Sequence, residues 1–174
     1  ATFGVRWSPS STFMRSEKGT VEIYDGYPKV TAQVSKGISG LFNGDFDFTR
    51  VGAKFYYQVE RLNKSTTEFL VEGKMAFGDV PLTHLFHAYP NAPTKETIMQ
   101  RFSVAGVNSF ETMYFGEFFS DRIASLQIKH HLRPFNLGEK FKPEMVFITR
   151  YAIGDISDIE RHQEVSFNKL DKGF

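Results

Sequence analysis

Val51-Gly52-Ala53-Lys54-Phe55-Tyr56-Tyr57-Gln58-Val59-Glu60 is the stretch from which the rest of the chain can be read. Its odd positions, Val51, Ala53, Phe55, Tyr57 and Val59, are apolar, and Lys54, Gln58 and Glu60 fall between them. A period of two puts successive side chains on opposite faces of a strand. After a polar turn, Leu62-Asn63-Lys64-Ser65-Thr66, the same dyad returns. Phe69, Val71, Met75 and Phe77 alternate with Glu68, Glu72 and Lys74, with Leu70 and Ala76 as exceptions. Two such runs joined by a turn predict an antiparallel hairpin with one apolar and one polar face.

Working outward, Ala124, Leu126, Ile128 and Leu132 alternate with Ser125, Gln127, Lys129 and His131. Asn43-Gly44, the strongest short hairpin signal, separates the 30–41 and 46–60 segments. Ser120-Asp121-Arg122 is tight enough to join the aromatic run 110–119 to a strand from Ile123, and Gly154-Asp155-Ile156-Ser157-Asp158 makes a further turn. The resulting expectation is about nine strands, near 1–8, 12–24, 29–40, 46–60, 67–78, 109–119, 123–132, 143–152 and 160–170. No amphipathic helix is expected, beyond a turn at 94–101. The short turns at 62–66, 120–122 and 154–158 and the long loops at 79–108 and 133–142 are expected at opposite rims. Short turns at one rim and long loops at the other are the habit of outer-membrane barrels.

Composition narrows the class. A formal net charge of +1 gives no field that would favour nucleic acid, so no nucleic-acid partner is expected. Cysteine is absent, which removes disulfides and thiolate metal sites. The 19 Phe, 7 Tyr and 1 Trp suit the aromatic girdles of a membrane barrel better than a Leu- and Ile-rich soluble core. No run approaches the ~18 apolar residues of a spanning helix. On periodicity alone, a soluble up-and-down barrel or sandwich of the lipocalin kind, binding an apolar ligand, fits as well. Strand length favours the membrane, because several runs reach the ~9–11 residues needed to cross at a tilt, against the usual ~5–6.

The segment between Gly73 and Leu132 carries a resemblance. Gly73-Lys74-Met75-Ala76-Phe77-Gly78-Asp79-Val80-Pro81-Leu82 leads into Leu85-Phe86 and Tyr89-Pro90-Asn91. Phe110-Glu111-Thr112-Met113, Glu117-Phe118-Phe119-Ser120-Asp121-Arg122 and Lys129-His130-His131-Leu132 follow, and upstream Tyr27-Pro28, Gly37 and Gly44-Asp45-Phe46-Asp47 fit the same pattern. This resembles the barrel region, itself of unknown function, of Bacteroidetes outer-membrane proteins with an N-terminal carboxypeptidase-regulatory-like domain. More distantly the layout is similar to the surface-antigen barrels of the BamA and TamA type, in which one long loop folds back into the lumen. The resemblance implies that segment 79–108 is that loop, though without the Arg-Gly-Tyr tip of those barrels. Single-chain bacterial barrels close with an even strand number. Nine strands therefore predict a fragment, whose edge strands, holding Val5 and Val165, meet missing strands of the same protein or another envelope protein chain.

Candidate chemistry is sparse. His84 and His87 are three apart, a metal-ligand spacing on a helix, but Pro81 and Pro90 bracket them and no third ligand is placed. His130 and His131 should point to opposite faces. Ser125 and His131 share a face and form the pair to check for a lipid hydrolase or acyltransferase. Glu111 and Glu117, among aromatics, should avoid lipid, and Asp121 with Arg122 reads as a turn pair at the rim. The stretch from Asn43 to Asp47 lacks calcium-loop spacing, and no phosphate loop, nucleophile elbow or zinc signature occurs.

The sequence thus predicts an all-β chain, an antiparallel up-and-down transmembrane β-barrel segment over residues 1–174. It is expected in the bacterial cell outer membrane, in contact with lipid, non-catalytic, without cofactor or metal, and serving assembly, surface display or transport. Val51, Ala53, Phe55, Tyr57 and Val59 with Phe69, Val71, Met75 and Phe77 should form its outward apolar band. Loop 79–108, with candidate residues His84, Phe86, His87, Tyr89 and Arg101, carries too much apolar surface to stay in water and should pack on the lumen wall. There it should meet charges such as Glu72 and Glu117, with Asp121 and Arg122 at the rim.

Overall fold

A computed structural model describes residues 1–17, 19–24, 26–40, 45–88, 90–92, 108–138, 142–157, 162 and 168–174. Among them the chain is all-β apart from 3-10 structure at Leu82–His84 and at His162. Ten strands form: β1 (Thr2–Trp7), β2 (Thr12–Ser16), β3 (Gly19–Tyr24), β4 (Lys29–Gly37), β5 (Phe48–Glu60), β6 (Thr66–Gly78), β7 (Pro90–Ala92), β8 (Phe110–Tyr114), β9 (Arg122–His131) and β10 (Val146–Asp155). Six of them make one antiparallel meander in the order β1-β4-β5-β6-β9-β10. β2 and β3 pair as a separate hairpin, and β7 and β8 as a short parallel pair.

The hairpin expected from the alternating stretch is present. β5 and β6 pair over all thirteen residues of each, from Phe48↔Gly78 to Glu60↔Thr66. The turn between them is closed by Lys64 N–H donating to Arg61 O at 2.9 Å and by Asn63 Oδ1, which accepts from Ser65 N–H and Oγ–H at 3.0 and 2.7 Å.

Several expectations change. The run 12–24 is two strands, because β2 ends at Ser16 and β3 begins at Gly19, whose φ of +132° is a conformation open to glycine. Of the run 109–119 only Phe110–Tyr114 (β8) is a strand, and it pairs with β7 outside the main sheet: Met75 pairs directly with Arg122, so β6 and β9 are neighbours. One connection, 79–121, therefore replaces the expected loop, strand and 120–122 turn. It leaves the Gly78 end of the sheet, whereas 132–145 joins β9 to β10 at the opposite end, so long loops do not share a rim. β4 and β5 are joined by residues 38–47 rather than by a two-residue turn. Asn43-Gly44, segment 94–101, Val165 and most of 160–170 lie outside the described residues. The sheet is open: β1 and β10 are its edges and do not pair with each other.

The register sorts the two faces. One row across the sheet reads Trp7, Val30, Phe55, Val71, Leu126, Tyr151, and the next reads Val5, Ala32, Ala53, Gly73, Ala124, Ile153. The other face has Arg6, Thr31, Lys54, Glu72, Ser125, Ala152 in one row and Gly4, Gln33, Gly52, Lys74, Ile123, Gly154 in the next. Burial runs opposite to the rule for a soluble sheet. Along the central stretch Val51, Ala53, Phe55 and Tyr57 are exposed, while Gly52, Lys54, Tyr56 and Gln58 are half-buried. Glu72 and Gln127 are buried on the charged face.

The core explains why. Val80, Leu85, Phe86, Ala88, Phe110, Met113 and Phe119, from the 79–121 connection, pack with Ala76, Ile123 and Ala152 of the polar face, and Ile156 and Leu170 complete the cluster. At its Gly78 end the charged face becomes apolar, and there the connection docks. The last residues run beside β10: Ala152 N–H donates to Phe174 O at 3.1 Å, Phe174 N–H to Ala152 O at 2.8 Å and Gly154 N–H to Leu170 O at 3.1 Å. On the apolar face, Phe3, Trp7, Phe55, Tyr57, Phe77, Phe147 and Tyr151 remain exposed. At about half of roughly 200 Å² each they leave on the order of 700 Å² uncovered, above the ~300–600 Å² patch of a typical soluble monomer.

Candidate functional site

The packed face and the segments on it form the candidate site. Glu72, on β6, is buried between two cations, with Lys74 Nζ at 2.9 Å and Lys54 Nζ at 3.8 Å from its Oε1. Charged-face positions on one sheet accumulate this way because register lines up β5 Lys54 with β6 Glu72. A buried carboxylate is tolerated only when paired, so this pairing is a condition of the face being covered.

From the connection, Phe86 reaches the charged face of the sheet. Its backbone exchanges hydrogen bonds with Ser120, Phe86 N–H to Ser120 O at 2.8 Å and Ser120 N–H to Phe86 O at 3.0 Å. Its ring then receives the Arg50 guanidinium, Cζ 4.7 Å from the centroid. His84 does not meet Glu72 or Glu117 as expected. It lies edge-on to Phe48 at 4.8 Å between ring centroids, with Nδ1 3.1 Å from Thr83 Oγ1. His87 sits between two phenylalanines, stacked on Phe115 at 5.6 Å and edge-on to Phe119 at 4.5 Å. Burial lowers its pKa, and a hydrogen bond to the Phe118 backbone opposes that in part. Its Nδ1 is buried with no hydrogen-bond partner among the described residues. Among those residues no group of three His, Asp or Glu side chains could hold a metal ion.

Glu117 is a turn residue: its Oε2 accepts from Tyr114 N–H at 3.2 Å and its carbonyl from Asn168 N–H at 2.8 Å. Asp121 and Arg122 belong to a rim clasp. Arg122 reaches Asp155 Oδ2 and Ser157 Oγ, both at 3.1 Å, and Asp121 Oδ2 accepts from Ser157 N–H at 2.7 Å. Tyr89, Arg101 and the side chain of Glu111 lie outside the described residues. His130 and His131 face opposite ways: His130 Nδ1 lies 2.9 Å from Thr67 Oγ1, and His131 lies 2.8 Å from Glu144 and 3.5 Å from Glu68. Ser125 and His131 cannot act as a pair, since six strand residues at about 3.3 Å each separate them by about 20 Å.

Arg50, Gln33, Ser35 and Lys74 were not singled out by sequence reasoning. They alternate like any polar strand residue, and only the register of β4, β5 and β6 brings them to one place. No helix among the described residues is long and apolar enough to cross a membrane, a statement that does not bear on strands.

A family model described as the C-terminal domain of a family of unknown function (DUF5686) matches residues 1–77, the part of the chain from β1 into β6. No curated protein and no solved structure matches the chain.

Proposed function

We propose that the chain is a wall segment of a transmembrane β-barrel in a bacterial outer membrane, with a non-catalytic envelope role in assembly, surface display or transport. The observation that carries this reading is the inverted polarity of the six-stranded sheet. Its apolar rows, Trp7 to Tyr151 and Val5 to Ile153, lie on the uncovered face, and the 79–121 connection packs on the opposite, charged face at its Gly78 end. Lipid makes that arrangement favourable, because apolar side chains then face hydrocarbon and charges face an enclosed, wettable interior. On the apolar face the charged residues stand at one end, Lys36 paired with Asp47 at 2.6 Å and Arg122 with Asp155 at 3.1 Å. From Phe69 to Phe77 the belt on β6 spans eight residue-to-residue steps. At about 3.3 Å per residue and a tilt near 40° it stands roughly 20 Å tall, close to the ~25 Å apolar band of such barrels.

The edge of β1, and the part of the β10 edge that Leu170 and Phe174 do not cover, support completion of the wall by further strands, from the same protein or another envelope chain, since unpaired backbone groups are not tolerated in lipid. The match over residues 1–77 is compatible with the Bacteroidetes barrels that carry a carboxypeptidase-regulatory-like domain. The inward connection parallels the lumen loop of BamA- and TamA-type barrels.

Trp7, the chain's one tryptophan, lies within an apolar row and tests the reading directly. In vesicles of brominated phosphatidylcholine its emission should be blue-shifted and strongly quenched, while aqueous acrylamide should quench it weakly. Emission of a hydrated indole, indifferent to brominated lipid, would refute a lipid-facing wall.

A further inference from the structure

We infer that the packed face holds an oxyanion-binding niche, centred on Arg50, that takes a phosphate group. The niche is a cavity of about 100 Å³ lined by Gln33, Ser35, Arg50, Gly52, Lys74 and Phe86. Its frame follows from register. Gln33, Gly52 and Lys74 occupy one row on three adjacent strands, and Ser35 and Arg50 are paired in another row of the same face. With strands ~4.8 Å apart, Gln33 and Lys74 stand about 10 Å from each other across Gly52, which leaves the floor open because it carries no side chain. Ser35 and Arg50 lie two residues along their strands from that row, about 7 Å away. Phe86 forms the roof, its ring under the Arg50 guanidinium.

Arg50, together with Lys74 (whose ammonium also holds Glu72 at 2.9 Å), an amide and a hydroxyl surround one small cavity that has no carboxylate in its lining. Arg50 has no acidic partner among the described residues, and its Nε is buried without a hydrogen-bond partner. A cation held in a partly dry site with an unused donor favours an anion. Several donors converging on one small cavity suit an oxyanion with several acceptor oxygens, such as phosphate. Ser35 and Arg50 also line an adjoining cavity of about 490 Å³ that includes Lys36, Asp45 and His84, which leaves room for the organic part of a phosphate ester. The niche needs only the packed face, so it stands or falls independently of whether the opposite face meets lipid.

The test is isothermal titration of the full-length protein in non-ionic detergent with inorganic phosphate and with glycerol 3-phosphate, acetate serving as the planar control. Saturable phosphate binding is expected, weaker for acetate. Arg50→Gln should weaken it at least tenfold, as should Gly52→Leu, which fills the floor without changing charge. Lys129→Gln, on the same face but outside the niche, should change it less than twofold. Preference for glycerol 3-phosphate would assign the group to a phosphate ester such as a lipid headgroup, and preference for inorganic phosphate to a free solute. Absence of saturable binding, or equal loss in Arg50→Gln and Lys129→Gln with circular dichroism unchanged, would overturn the niche.

Discussion

Placing a charge on the apolar face separates a lipid-facing sheet from one that faces water. Val71, 45% exposed, sits in the row Trp7, Val30, Phe55, Val71, Leu126, Tyr151, one step from the Gly73 row at the middle of the β6 belt. If that face met water, Val71→Arg would be an ordinary surface change, within about 0.5 kcal/mol. Facing hydrocarbon near the midplane, an arginine on a barrel costs about 2–4 kcal/mol. That is roughly a 30- to 800-fold shift in the folding equilibrium, at ~1.4 kcal/mol per decade. Phe77→Arg provides an internal scale, because Phe77 ends the belt one residue before Gly78, and near an interface the penalty falls to about 0–1 kcal/mol. The assay is equilibrium guanidinium unfolding of the full-length protein in phosphatidylcholine vesicles, followed by tryptophan emission. Val71→Arg should lower stability by at least about 2 kcal/mol and Phe77→Arg by clearly less. Equal, negligible effects of both in vesicles would refute the assignment of this face to lipid.

Two further outcomes follow from the connection and its turns. Because burial holds His87 below its ordinary pKa of 6.5, the unfolded chain binds a proton that the folded one does not as pH falls through that value. Its contribution to stability is therefore complete above about pH 6.5 and declines below it, levelling off once the folded pKa is passed. His87→Phe should flatten the slope of unfolding midpoint against pH between 7.5 and 5, and an unchanged slope would remove His87 from that role. Gly78 has φ +88°, and a Cβ there would lie 2.6 Å from Asp47 O. Gly78→Ala should cost about 1–3 kcal/mol in denaturant unfolding, more than Gly40→Ala, which shares a positive φ but opens onto free space. Equal costs would show that φ alone, and not the close approach to Asp47, matters at Gly78.

The dyad in 51–60 and 67–77 was enough by itself to specify two long strands, their antiparallel pairing and the composition of each face, because the period of two is a local property of extended backbone. The opposite facing of His130 and His131 was legible for the same reason. The sequence did not determine which face would be covered, since an apolar stripe reads alike whether it turns toward a core or toward lipid. That was decided when Leu85, Phe86 and Met113 packed against Ala76, Ile123 and Ala152. Nor could periodicity separate Phe110–Phe119 from a sheet strand. Only the direct pairing of Met75 with Arg122 excludes it from the sheet and frees Phe110 and Met113 for the core. The Arg50 niche was hidden for a related reason. Gln33, Ser35, Arg50 and Lys74 are ordinary alternating polar residues in their own strands. What makes them neighbours is inter-strand register, a non-local quantity set by hydrogen bonding between segments up to about forty residues apart.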